Sequence, residues 1–303
     1  MRVRHLGYVG QNLTLGLTTG RTLRLANLGG DRLDGVIASN LESLARILEW
    51  NVRHDIRFFR IASSVIPFAS HPAFEFDWRT RFAEALAAIE RYVLEHDLRL
   101  SMHPGQYTVL NSPDAAIVRN AVAELEFHTE FLDVVSAGSG TITLHVGGAY
   151  GDRERAKERL IANARRLSSA ASARLTLEND DRIFDADDAL EVAEALGVPM
   201  VFDLFHHRCL HRRAGWRDDV VPLVERAVET WGPRVPKLHL SSARTPGESA
   251  HAEYVDHDDL RTAIELIARI DGDGPVDLML EAKAKERAVL LHQATLRDFV
   301  ALR

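Results

Sequence analysis

The chain has 303 residues, 46% of them hydrophobic, which is enough for one large barrel or two smaller domains; we read residues 1–303 as one domain. A formal net charge of −7 excludes a globally basic nucleic-acid binder, so such a partner has to be held by local charge. The single Cys209 excludes an internal disulfide, and neither a secretory leader nor a bilayer-spanning apolar run is present, which predicts a protein of the reducing cytoplasm.

Taken in order, apolar or β-branched runs alternate with amphipathic stretches. Val3–Tyr8 reads as a strand followed by a helix at Ser39–His54, Phe58–Ala62 precedes Asp77–His96, and Leu98–Met102 precedes Pro113–Ala137. Thr141–Val146 leads to Asp152–Ala173, Leu175–Leu177 to Asp185–Leu196, and Pro199–Phe202 to Trp216–Trp231. Pro236–Leu240 leads to Asp256–Ile270, and Val276–Leu280 to a last helix near Lys285–Leu302, which closes the barrel with the C-terminal segment 286–303. Asp77, Asp185 and Asp256 suit N-caps, and Gly138 and Gly197 sit where helices should stop. Eight strand–helix pairs predict a single (β/α)8 TIM barrel; an open doubly wound sheet would gather its ligands at one switch point.

Six of the strands end on a metal-ligand residue type: His103, His145, Glu178, Asp203, His239 and Glu281. Such donors meet only if the strands stand side by side with these ends on one rim, where a TIM barrel keeps its chemistry. Strand parity agrees, because Thr141, Thr143 and His145 share one face while Ile142, Leu144 and Val146 share the other. Ser101 with His103, Thr176 with Glu178, and Lys237 with His239 repeat the pattern, so the polar set points inward.

A lone histidine at a strand end is more often a hydrogen-bonded structural residue than a ligand. Six imidazoles and acids at one mouth are different, because desolvation and repulsion would be severe without cations. His206 and His251, on the loops after the sixth and seventh strands, extend the set to eight, which suits two or three divalent ions sharing a carboxylate. Mixed imidazole and carboxylate donors fit manganese, zinc or iron alike. Lys237, two residues before His239, has to be deprotonated, salt-bridged or converted to a carbamate.

The stretches GYVGQNLTLG, IPFASHP, LSMHPGQY, LHVGGAYG, LENDDR and LEAKAKE resemble the bacterial and fungal UV damage endonucleases, metal-dependent (β/α)8 DNA-repair enzymes related in fold to endonuclease IV. The resemblance implies up to three ions, manganese with zinc as the alternative, held by His103, His145, Glu178, Asp203, His206, His239, His251 and Glu281, with Glu178 bridging two. It implies a carboxylated Lys237, catalytic roles for Glu178, Lys237 and Tyr8, and Asn12 near the site. Gln106 and Tyr107 would probe the damaged base pair. The implied reaction is hydrolysis immediately 5′ to cyclobutane dimers, 6-4 photoproducts and abasic sites, leaving a 3′-hydroxyl and a 5′-phosphate. Gly10 and Gln11 depart from the family pattern, the loop Ser241–Ala252 matches poorly, and nothing after Lys285 carries a motif.

The partner so implied is damaged double-stranded DNA, with no membrane and no obligate protein partner, in a nucleoid-associated cytoplasmic setting. Arg21, Arg24, Arg153, Arg155, Arg208, Arg212, Arg213 and Arg217 fall on the loops of the catalytic rim, where they can neutralise phosphates while acidic helices face solvent. Solvated arginines or helix-pair partners are the plainer reading of each. Three rivals are a sugar isomerase or epimerase on the same barrel, a damage-binding protein without catalysis, and an endonuclease IV-like enzyme restricted to abasic sites.

Overall fold

Each strand is short because its inward face has to alternate with an outward face that packs on helices. The computed structural model describes residues 1–28, 31–211 and 216–301. Its barrel strands are β1 (Arg2–Val9), β2 (Phe58–Ile61), β3 (Arg99–Met102), β4 (Thr141–His145), β5 (Leu175–Glu178), β6 (Met200–Asp203), β7 (Lys237–Leu240) and β8 (Pro275–Leu280). Every neighbouring pair is parallel, and the β1–β8 pairing, which sets Val3 beside Val276 and Gly7 beside Met279, closes the cylinder. The predicted TIM barrel is the observed fold.

Outward residues form the core against the helices: Leu100, Met102, Ile142, Leu144, Leu175, Leu177, Leu238 and Leu240 are all buried. Inside the barrel the side chains form layers. At the N-terminal end the buried Asp277 accepts hydrogen bonds from the partly exposed Arg4 at 2.7 and 2.9 Å and from Arg99 at 2.8 Å, closing the floor with an ion triad. Phe58 fills the space beside them; an added methyl on Gly7 would lie 2.6 Å from its ring. The middle layer is polar. Thr176 donates to Thr143 at 3.1 Å, and Lys237 donates to Thr143 at 2.6 Å and Thr141 at 3.3 Å, so the inward parity read from the sequence is observed.

Helix boundaries follow local chemistry. Asp77 and Asp185 cap as expected, the latter in a reciprocal box with Asp188, and Gly197 ends its helix with φ +66°. Asp256 stands at its cap position, but its side chain caps nothing. The helix expected over Asp77–His96 breaks at Phe82, and that over Asp152–Ala173 divides at Ser168, whose hydroxyl caps a new segment, Ser169–Arg174. The first helix begins earlier than expected, at Asp31. Among the described residues no helix is long and apolar enough to cross a membrane.

One correction bears on the site. The segment after β6, expected to be a loop, is a helix, Leu204–His211. Asp203 starts it, accepting the His206 backbone N–H through Oδ1 at 2.7 Å.

Candidate metal centre

The eight predicted donors gather at the C-terminal mouth. Strand register does most of the placement: His145 stands beside Glu178 across β4 and β5, and Asp203 beside His239 across β6 and β7. His103 directly follows β3 and Glu281 directly follows β8. His206 comes from the short helix rather than a loop.

Glu178 is the hub, buried at the centre. Its Oε2 lies 3.0 Å from His103 Nε2 and 3.6 Å from His145 Nε2, while its Oε1 lies 2.7 Å from His239 Nδ1. Three clusters compact enough to hold an ion share it: His103–His145–Glu178, Glu178–His239–Glu281, and Glu178–Asp203–His206. His251 stands at the margin. Its Nδ1 is 3.8 Å from Glu281 Oε2, its ring packs edge-on against Phe205 at 5.5 Å, and it belongs to none of the three clusters.

The donor chemistry fits divalent cations. Two imidazoles are oriented through Nδ1, which faces the Pro104 carbonyl at 3.1 Å in His103 and the Asn179 carbonyl at 3.0 Å in His206, so Nε2 is the nitrogen each would offer a cation. Asp203 Oδ2 and His239 Nε2 are buried without a hydrogen-bond partner among the described residues. Burial, reinforced by Glu178 and Glu281, pushes the Asp203 carboxyl up to about 6 against the opposing charge of His206. Burial lowers His206 in turn, yet Asp203, Glu178 and Glu281 raise it to about 9. Burial alone would raise Glu178, but His239, His145 and His103 bring it well below the usual range. Three carboxylates in one mouth, with Glu178 and Asp203 buried, create a field that cations relieve.

Other expectations land differently. Lys237 lies one layer below the donors, fully buried, with threonine hydroxyls as its hydrogen-bond partners. Burial, then the charges of Arg99 and Arg60, lower its pKa far below the usual value, and among the described residues its hydrogen bonds go to threonines and not to a carboxylate, unlike the salt-bridged alternative. Tyr8 does not face the donors. Its side chain turns outward from β1, where its hydroxyl donates to Asn51 at 2.6 Å and accepts from Asn12 at 3.0 Å, and both Tyr8 and Asn12 are fully buried. Their engaged polar atoms place them as supports for the first loop, since Asn12 Oδ1 also accepts the Leu15 N–H.

Gln106 and Tyr107 project from the turn after His103, and Tyr107 is 84% exposed. Of the rim arginines, Arg208 is held by Asp259 at 2.5 Å, Arg153 by Asp188, and Arg21 bonds Ser39 and Ser43. Arg24 and Arg155 are exposed. Arg212, Arg213 and the side chain of Arg217 lie outside the described residues.

Four supporting residues were missed from the sequence. Arg60, inward on β2, meets Glu281 at 2.5 Å. Asn179, directly after Glu178, exchanges two hydrogen bonds with the Asp203 backbone at 2.9 and 3.0 Å, fixing β5 against β6. Glu286 accepts the amides of Leu13 and Thr14 at 2.9 and 2.8 Å, tying the first loop to the last helix. Asn111 clasps Gly148, and a Cβ on Gly147 would fall 2.4 Å from its oxygen, which explains the glycine at position 147. The positions of Asn179 in LENDDR and of Glu286 at the end of LEAKAKE were the available signals; Arg60 and Asn111 had none.

A profile of the UV-endonuclease UvdE family matches residues 4–302. The chain belongs to that family. It is 36% identical over 264 residues to the UV DNA damage endonuclease of Bacillus cereus strain Q1, covering 86% of this chain and 81% of that one. The crystal structure of SacUVDE, 37% identical, superposes with a TM-score of 0.88 over 97% of this chain and 98% of its own. Endonuclease IV from Thermus thermophilus shares the fold at 15% identity, with a TM-score of 0.62 over 99% of this chain and 100% of its own. UvdE membership makes the chain an endonuclease of DNA repair, and the buried histidine and carboxylate cluster is its candidate metal centre.

Proposed function

We infer that this UvdE protein hydrolyses the phosphodiester immediately 5′ to cyclobutane dimers, 6-4 photoproducts and abasic sites in duplex DNA, leaving a 3′-hydroxyl and a 5′-phosphate. The observation that carries the reading is Glu178, shared by three donor clusters within one barrel mouth. Two to three divalent ions, manganese with zinc as the alternative, would be held by His103, His145, Glu178, Asp203, His206, His239 and Glu281, with His251 completing the margin. Such ions supply charge to the phosphoryl oxygens and acidify a water for in-line attack.

The chain's own residues do the rest. Glu178 spans the clusters, Asn179 holds Asp203 in place, and Arg60 fixes Glu281 in one orientation. Lys237 is read as carboxylated; Thr141 and Thr143 are the hydroxyls that would donate to a carbamate there. Gln106 and Tyr107 stand proud of the surface, where a hydrogen-bonding side chain and an aromatic one can probe a duplex weakened by damage. The setting is the nucleoid-associated cytoplasm, with damaged DNA as the partner.

The test is to incubate the purified chain with manganese and a duplex carrying one dimer, then map the cut and its ends. A single break directly 5′ to the dimer with a 3′-hydroxyl is expected. No break, or cleavage of abasic sites alone, overturns the assignment.

A further inference from the structure

Beside the donor cluster the mouth opens into a cavity of about 470 Å³ that has His103 in its wall, together with the loop after β1 and the end of β2. Two cations reach it, Arg60 and Lys285, and among the described residues no carboxylate lines it. The other polar lining is neutral, including Gln11 and Ser63.

Lys285 is held there against its preference. Its φ is +53°, in the left-handed region that disfavours any residue with a side chain. The conformation is enforced from both sides: Glu281 is anchored by Arg60, and Glu286 by the amides of Leu13 and Thr14. Arg60 is already committed to Glu281, whereas no described carboxylate comes within ion-pairing distance of the Lys285 ammonium. Burial, and then the Arg60 charge, disfavour that ammonium. A strained cation sharing an open cavity with a second cation is an arrangement that an incoming anion completes.

We propose that this cavity is a phosphate subsite, in which Lys285, supported by the charge of Arg60, takes a DNA backbone phosphate adjoining the one presented to the donor cluster. The proposal rests on reading the chain as an enzyme that cuts DNA at the metal centre. His103 belongs to both walls, so one strand can lie across both sites. Gln11 and Ser63 would donate hydrogen bonds to the same phosphate.

The experiment measures binding of the manganese-loaded full chain to an undamaged duplex, which is not a substrate, by fluorescence anisotropy over a range of salt. Lys285→Gln is expected to reduce the slope of log K against log salt by about 0.9, the value of one lost phosphate contact, and to weaken binding severalfold. Lys285→Arg should keep most of the slope. Lys285→Gly should lose it too, yet unfold at or above the wild-type temperature, because glycine accepts the positive φ. A wild-type slope and affinity for Lys285→Gln overturns the subsite, as does a Lys285→Gly protein that melts below the wild type. If the wild type fails to nick irradiated DNA, the functional reading falls separately, since the salt slope is read on undamaged duplex.

Discussion

Asp203 divides its carboxylate between two tasks: Oδ1 accepts the His206 N–H at 2.7 Å, and Oδ2 is buried at the donor cluster with no hydrogen-bond partner among the described residues. The two tasks separate on substitution. Asp203→Asn keeps an oxygen for the cap and loses the anionic donor, so nicking should fall by at least about 100-fold with little change in stability. Asp203→Ala should lose the cap as well, at a further cost of about 1 kcal/mol. Urea unfolding alongside a plasmid-nicking assay separates the effects; equal stability of the two variants would refute the division.

Glu178 belongs to all three compact clusters. Glu178→Gln should therefore lower the bound metal by more than one ion, whereas His251→Ala, at the margin, should cost one at most. Elemental analysis after gel filtration reads both. A Gln variant with full metal content would show that the clusters are independent.

The floor triad predicts an acid limb to stability. Burial alone would raise the Asp277 carboxyl, but hydrogen bonds from Arg4 and the charge of Arg99 bring it below the ordinary value. A depressed folded pKa means the stabilisation is complete above the unfolded carboxylate value of about 4 and is lost as pH falls through the lower folded value. Asp277→Asn leaves Arg99 buried without its counter-charge, so at pH 7 it should cost about 3 kcal/mol or more, a deficit that shrinks in acid. Urea titrations between neutral pH and pH 3 test this, and a deficit independent of pH would contradict it.

Gly7 has no room for a side chain. A methyl there would sit 2.6 Å from the Phe58 ring and 2.9 Å from the Phe58 carbonyl oxygen. Gly7→Ala should destabilise by about 1–3 kcal/mol, and Phe58→Leu should recover part of that loss if the ring is the obstacle. Thermal melts of the single and double variants decide; an additive double variant would argue against the clash.

Tyr107, 84% exposed, offers its ring to a partner rather than to the core. Tyr107→Ala should change stability by less than about 0.5 kcal/mol. It should weaken binding to a dimer-bearing duplex by about 1–3 kcal/mol, while Tyr107→Phe keeps most of the affinity. Equal weakening on damaged and undamaged duplex would assign the residue to general contact instead of lesion probing.

The barrel was legible because period-two alternation in TITLHV, LSMH and KLHL assigns inward and outward faces without reference to other segments. Six of the eight donors were legible for the same reason: His103, His145, Glu178, Asp203, His239 and Glu281 each stand at the end of an apolar run. Residues acting through partners distant in the chain were not. Arg60 gains meaning only from Glu281, and Glu286 only from the backbone of the first loop, and no local pattern announces either pairing. Tyr8 misled because its place in GYVGQ suggests the mouth, whereas the strand pleat turns its ring outward to Asn51. The helix Leu204–His211 escaped notice because its start signal, an aspartate accepting an amide three residues on, is also a ligand type.

The donors are dealt out over β3 to β8 and the segments that follow, and the cylinder shuts only when β1 meets β8. A nascent chain that ends before β8 lacks both Glu281 and the strand that closes the cylinder, so it does not carry the whole set in register. The last donor thus arrives with the last strand, and assembly of the centre is tied to closure of the barrel.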